Sequence, residues 1–118
     1  MKTFVLPLPP NRANARWHWR TEKQKKDTWF THADALYRVS KEPPMAPGKT
    51  RVTAKLYTWN KMDIDNLFGR VKWPMDWLVR RGYLADDDPD SIEWAGIPKQ
   101  EVDRKNQRIE ITLEEIEE

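Results

Sequence analysis

The chain has 118 residues, room for one domain with one real core and too little for a nucleotide-binding domain plus a substrate domain, so no nucleotide cofactor is expected. Charged residues reach 34% and mean hydropathy is −0.93, yet 11% aromatic content with seven Trp argues for a packed core rather than disorder. Zero Cys excludes disulfides, thiolate catalysis and Cys-type zinc fingers, and two His fourteen residues apart leave little for a zinc enzyme. No apolar run approaches the ~20 residues of a membrane span, and the start, MKTFVLPLPP, lacks the long apolar stretch of a secretory signal, so a soluble cytoplasmic protein without a membrane partner is expected.

The net charge of +2 hides an asymmetry: residues 1–61 carry a net of +9 and residues 62–118 a net of −7. A basic half suits a polyanion and an acidic half suits metal cations, a combination that an enzyme cutting nucleic acid requires. Unevenly spread surface charge gives the same arithmetic.

In chain order, Thr3 to Leu8 reads as a short strand stopped by Pro7, Pro9 and Pro10, and residues 9–16 as a loop. Thr21 with Gln24 fits a capping box opening a helix to about Ser40, with Trp29, Ala33, Leu36 and Tyr37 on its apolar stripe. Lys41 to Lys49, rich in Pro, is a connecting loop. Arg51 to Trp59 alternates, with Val52, Ala54 and Leu56 on one face and Arg51, Thr53, Lys55 and Tyr57 on the other, which predicts a half-solvated strand. A second helix runs from near Asp65 to about Arg81 with Gly82 at its C-terminal cap, and Pro74 should kink or split it. Ser91 to Ile97 and Gln107 to Leu113 read as strands, and Glu114 to Glu118 as a frayed acidic tail. The order β-α-β-α-β-β predicts an α+β domain over residues 1–118, a single mixed sheet with two main helices packed on it.

The informative stretch is Lys61-Met62-Asp63-Ile64-Asp65-Asn66-Leu67, followed by Asp86-Asp87-Asp88. Residues i and i+2 of a strand face the same side, so Asp63 and Asp65 at the end of an extended segment would point into one space. Two carboxylates held close are unfavourable unless a proton or a cation lies between them. An all-oxygen site favours Mg²⁺ or Mn²⁺, which activate water and stabilise in-line displacement at phosphorus. The same residues also suit simpler roles, Asp63 or Asp65 as a helix N-cap and Asp86 to Asp90 as a turn with Pro89.

The string Asp63-Ile64-Asp65-Asn66-Leu67, then Asp76-Trp77-Leu78, Gly82 and Asp86-Asp87, with an opening Pro9-Pro10, Asn14 and Arg16, resembles the RusA-type Holliday junction resolvases. The likeness runs from residue 4 to about residue 113 and is sharp between residues 61 and 88. It implies a RusA-like fold and a Mg²⁺-dependent homodimeric endodeoxyribonuclease of bacteria or phages, with Mn²⁺ as a substitute metal. It implies symmetric hydrolysis of a four-way junction in recombination and repair. It makes Asp63 and Asp65 the first two metal carboxylates and Asp87 the third; counting back from Ile92 gives Asp88 instead, and Asp86 is a further alternate. The family's catalytic Lys falls on Gly69 when counted from the second Asp and on Lys72 when counted back from Asp76. On a continuous helix Lys72 shares a face with Asp65, ~10 Å further along. Asp76, ~16 Å along, reads as structural, paired with Arg80.

Arg12, Arg16, Trp17, Trp19 and Arg20, with Lys23, Lys25 and Lys26, combine charge with flat apolar surface. Arg12, Asn14, Arg16, Arg20, Lys23 and Lys61 are the candidate DNA contacts, while Trp17 and Trp19 read as core. For a dimer, Trp73, Trp77 and Trp94 are candidate interface residues. A catalytically degenerate protein that binds branched DNA without cutting it is the alternative reading.

Overall fold

A computed structural model describes residues 2–10, 19–37, 49–84 and 91–116 of the chain. In chain order the elements are β1 (Lys2–Pro7), α1 (Trp19–Tyr37), β2 (Thr50–Thr58), α2 (Ile64–Arg80), β3 (Ile92–Trp94), β4 (Lys99–Val102) and β5 (Arg108–Glu115). The sheet runs β1-β5-β2-β3, and β4 continues the edge begun by β3 on the same side of β2. β5 is antiparallel to both β1 and β2, whereas β3 and β4 run parallel to β2. α2 is therefore the crossover of a β-α-β unit, the connection a parallel pair requires. The molecule is a small α+β fold with a mixed sheet and two helices, as the element pattern predicts.

Alternation decides which face is covered. Phe4 and Leu6, Val52, Ala54 and Leu56, and Ile109, Ile111 and Leu113 are all buried in one core with residues of both helices, so α1 and α2 share one face of the sheet. The opposite face carries Arg51, Thr53, Lys55, Arg108 and Glu110, with Arg51 paired across strands to Glu93 and Glu114, and Arg108 paired along β5 to Glu110. Arg108 also lies 3.6 Å over the Tyr57 ring.

Trp73 and Trp77 are core residues, 2% and 1% exposed, which removes them as interface candidates. Trp77 stacks among Phe4, Tyr37 and Tyr83, and its indole N–H donates to Asp34 at 2.9 Å. Trp94 is only partly buried, edge-on to Phe68. α2 passes through Pro74 as one helix rather than splitting there, because Pro74 and its neighbours Trp73, Met75 and Trp77 are all buried against the core. It ends as Gly82 implies: with φ at 83°, Gly82 lets Tyr83 N–H reach the Leu78 carbonyl at 2.9 Å, and Tyr83 turns into the core.

Two boundaries and one buried stripe differ from the sequence reading. α1 begins at Trp19, so Thr21 lies inside its first turn and cannot be the cap of a box with Gln24. On its stripe Leu36 is 55% exposed, while Phe30 is buried against Trp29 and under Arg80. Glu114 and Glu115 belong to β5, and Ile116 N–H bonds the Lys49 carbonyl, so only residues 117 and 118 of the acidic tail lie outside the described residues.

On the outer side of β1, the Tyr37 hydroxyl accepts from Val5 N–H at 2.7 Å and donates to the Val5 carbonyl at 3.3 Å.

Candidate functional site

The residues singled out by sequence collect where β2 ends and α2 begins. Residues 59–63 leave the carboxyl end of β2, the end of a parallel strand at which open α/β sheets bind ligands. The bend is held from both sides. Thr58 Oγ1 donates to the Asn60 carbonyl at 2.8 Å. Gln100 on β4 receives Met62 N–H on Oε1 at 2.7 Å and returns Nε2 to the Met62 carbonyl at 2.8 Å, so a side-chain amide replaces a strand neighbour at that residue. A Gln100→Ala chain should lose about 1–2 kcal/mol of stability, because both polar groups of Met62 lose their partners. The check is faster hydrogen exchange at the Met62 amide, with amides of β5 unchanged.

Asp63 takes the N-cap position of α2 with extended backbone, φ −66° and ψ 157°, and its carbonyl accepts from Leu67 N–H. Its carboxylate makes no capping hydrogen bond. Of the two alternatives, then, Asp63 holds the cap position without its side chain serving as the cap. Asp65 is already helical, in the first turn, so the strand rule that would align the two carboxylates does not apply to them. Both side chains are exposed, as is Lys61 just before them. The helix dipole favours negative charge at this end by about 0.3–1 kcal/mol, which lets two acids coexist there.

Lys72 is exposed on the unbroken helix two turns beyond Asp65. Phe68, 40% exposed, lies between them on that face. Asp76 is structural as expected, but its partner is Lys26 of α1 at 3.0 Å and not Arg80, which instead stacks on Phe30. Asp86, Asp87 and Asp88 lie outside the described residues. The described residues flanking them are Leu84, whose N–H bonds Leu78 near the end of α2, and Ser91, whose carbonyl accepts from Thr50 at the start of β2. Among the described residues no group of three metal-ligating side chains occurs.

Arg12, Asn14 and Arg16 also lie outside the described residues, as does Trp17. Arg20 and Lys23 are exposed on the first turns of α1, a different element from the acid turn.

Sequence reasoning missed the cations that flank this bend. Arg70 is half-buried on α2. Its Nη1 meets Met62 Sδ at 3.2 Å and its Nε is buried without a hydrogen-bond partner. Burial pushes the guanidinium down from its ordinary value. Residues 103–107 pass over the end of β2 and bring Arg104 in: its Nε donates to the Trp59 carbonyl at 3.2 Å and its Nη2 to Asn60 Oδ1 at 3.3 Å. Asp103 fixes that strap by accepting from Arg108 and from the Lys105 and Asn106 amides, which hold its carboxyl below the usual carboxylate range. The signal for Arg70 was in the sequence: three residues after Leu67 and four before Pro74, both buried, its position turns toward the core side of α2.

Compared with protein-family models and with curated proteins, the chain matches none. Among the described residues no helix is long and apolar enough to cross a membrane.

Proposed function

We propose that the protein is a Mg²⁺-dependent endodeoxyribonuclease of RusA-like fold that cuts branched DNA, as a homodimer on a four-way junction. The observation that carries this reading is the bend at residues 60–65. Two exposed carboxylates, Asp63 with no capping duty, stand at the carboxyl end of a parallel strand on a backbone pinned by Gln100, beside Arg70 and Arg104. That pairing supplies acids for a divalent ion and cations for a phosphodiester around one bend.

In this reading Asp63 and Asp65 hold Mg²⁺, with Asp87, or its neighbour Asp86 or Asp88, as third ligand. The ion supplies Lewis acidity and an activated water. Lys72 offsets charge on the phosphate in the transition state. Two-fold symmetry of a junction matches a two-fold dimer that presents two sites. Arg12, Asn14, Arg16, Arg20, Lys23 and Lys61 contact the DNA backbone.

Incubating the protein with a mobile four-way junction should give paired symmetric nicks in Mg²⁺ or Mn²⁺ and none in EDTA. Tight binding with no product in any divalent ion would make it a branched-DNA-binding protein instead, the reading that the displaced Lys favours.

A further inference from the structure

Arg70 is an awkward residue to keep half-buried. Its Nε is closed off from solvent with no acceptor, and its one recorded hydrogen bond goes to a thioether, a weak acceptor. A bound water would complete the missing hydrogen bond but leave the charge uncompensated. Among the described residues no carboxylate pairs with it. A buried cation in that state gains most from an anion.

The structure provides a place for one. Arg70 lines a cleft of about 200 Å³ together with Thr58, Trp59, Asn60, Met62 and Gln107. That is roughly seven waters at ~30 Å³ each, ample for a tetrahedral oxyanion. The lining carries amide and guanidinium donors and no carboxylate, the Thr58 hydroxyl being already given to Asn60. Arg104 adds a second cation at the rim, bonded to the backbone of Trp59 and the side chain of Asn60. The Trp59 ring is 52% exposed with the Arg104 guanidinium 5.0 Å from its centroid, so a flat apolar surface lies open next to the cationic cleft.

We infer that this cleft is a phosphodiester subsite, in which Arg70 and Arg104 hold a backbone phosphate of single-stranded DNA and Trp59 stacks on an adjoining base. The inference rests on the nucleic-acid reading above for its ligand and adds the residues that hold the strand next to the acid turn. A phosphate there neutralises Arg70, and stacking on Trp59 tolerates any base, since every base has a π-face.

The test is an NMR titration of the full chain, with inorganic phosphate in one arm and single-stranded octathymidylate in the other. Octathymidylate should shift the Arg70 Nε–H and Trp59 indole resonances at far lower concentration than phosphate, with salt-dependent affinity. Trp59→Ala should weaken octathymidylate about 10-fold and leave phosphate unchanged, whereas Arg104→Gln should weaken both. Both replace exposed side chains, so folding is kept. Shifts with phosphate that octathymidylate does not reproduce would make this a free-anion site and overturn the nucleic-acid occupant. No shift of either resonance in both arms, with octathymidylate and with phosphate at about 10 mM alike, overturns the subsite outright. Junction nicking by the wild-type chain is scored separately. Octathymidylate bound at the cleft without nicking keeps the subsite and removes the nuclease; nicking without the shifts does the reverse.

Discussion

An Asp65→Asn chain should bind a four-way junction as tightly as the unaltered protein and cleave it at least ~100-fold more slowly. Asn keeps the shape of the side chain and loses the charge that attracts a divalent ion. Metal stabilisation of the transition state amounts to several kcal/mol, and each ~1.4 kcal/mol is tenfold in rate. The fold gives the substitution little else to disturb. Asp65 is exposed in the first turn of α2, so the structural loss is limited to part of the helix-dipole interaction, about 0.3–1 kcal/mol. Asp63→Asn should behave alike, since the Asp63 carboxylate caps nothing and its carbonyl bond to Leu67 survives. Thermal melting run alongside the cleavage assay separates lost chemistry from lost fold. Cleavage at the unaltered rate in Mg²⁺ would remove Asp65 from the metal site.

The largest effect on stability is expected at Trp77. Trp77→Ala should cost about 3–5 kcal/mol, the range for truncating a buried aromatic, which for a chain of this size lowers Tm by roughly 10–25 °C. The ring is 1% exposed and touches Phe4, Tyr37 and Tyr83, which come from β1, α1 and the turn after α2. Trp77→Phe should cost less, about 1–2 kcal/mol, by leaving Asp34 without its indole donor. Asp34 keeps Arg81 at 3.4 Å, so the loss lies toward the lower figure. Urea unfolding measures both. A Trp77→Ala chain with unchanged unfolding but altered sedimentation would return Trp77 to the role of an interface residue.

Trp77 also shows where sequence reasoning ran out. An aromatic excess reads equally as core or as interface, and only the packing of three elements around one ring decides between them. Elements with strong periodicity were legible: the alternation of β2 places Val52, Ala54 and Leu56 inward, and Gly82 closes α2. β4 was not legible, because Lys99-Gln100-Glu101-Val102 carries no alternating apolar signal. It is a strand because β2 offers it a parallel partner and Gln100 locks onto Met62. For the same reason the site was only half visible. Asp63 and Asp65 stand out as a local string and Arg70 follows them on the same helix, whereas Gln100 and Arg104 join them only through the fold.

The Tyr37 hydroxyl that bridges both polar groups of Val5 has a consequence for self-association. Val5 has spent its donor and acceptor on a phenol from its own chain, and Pro7 has no N–H to give. An incoming strand at this margin would have to evict a tyrosine and would then meet an imino acid. Continuous sheet growth from molecule to molecule is thereby discouraged along β1.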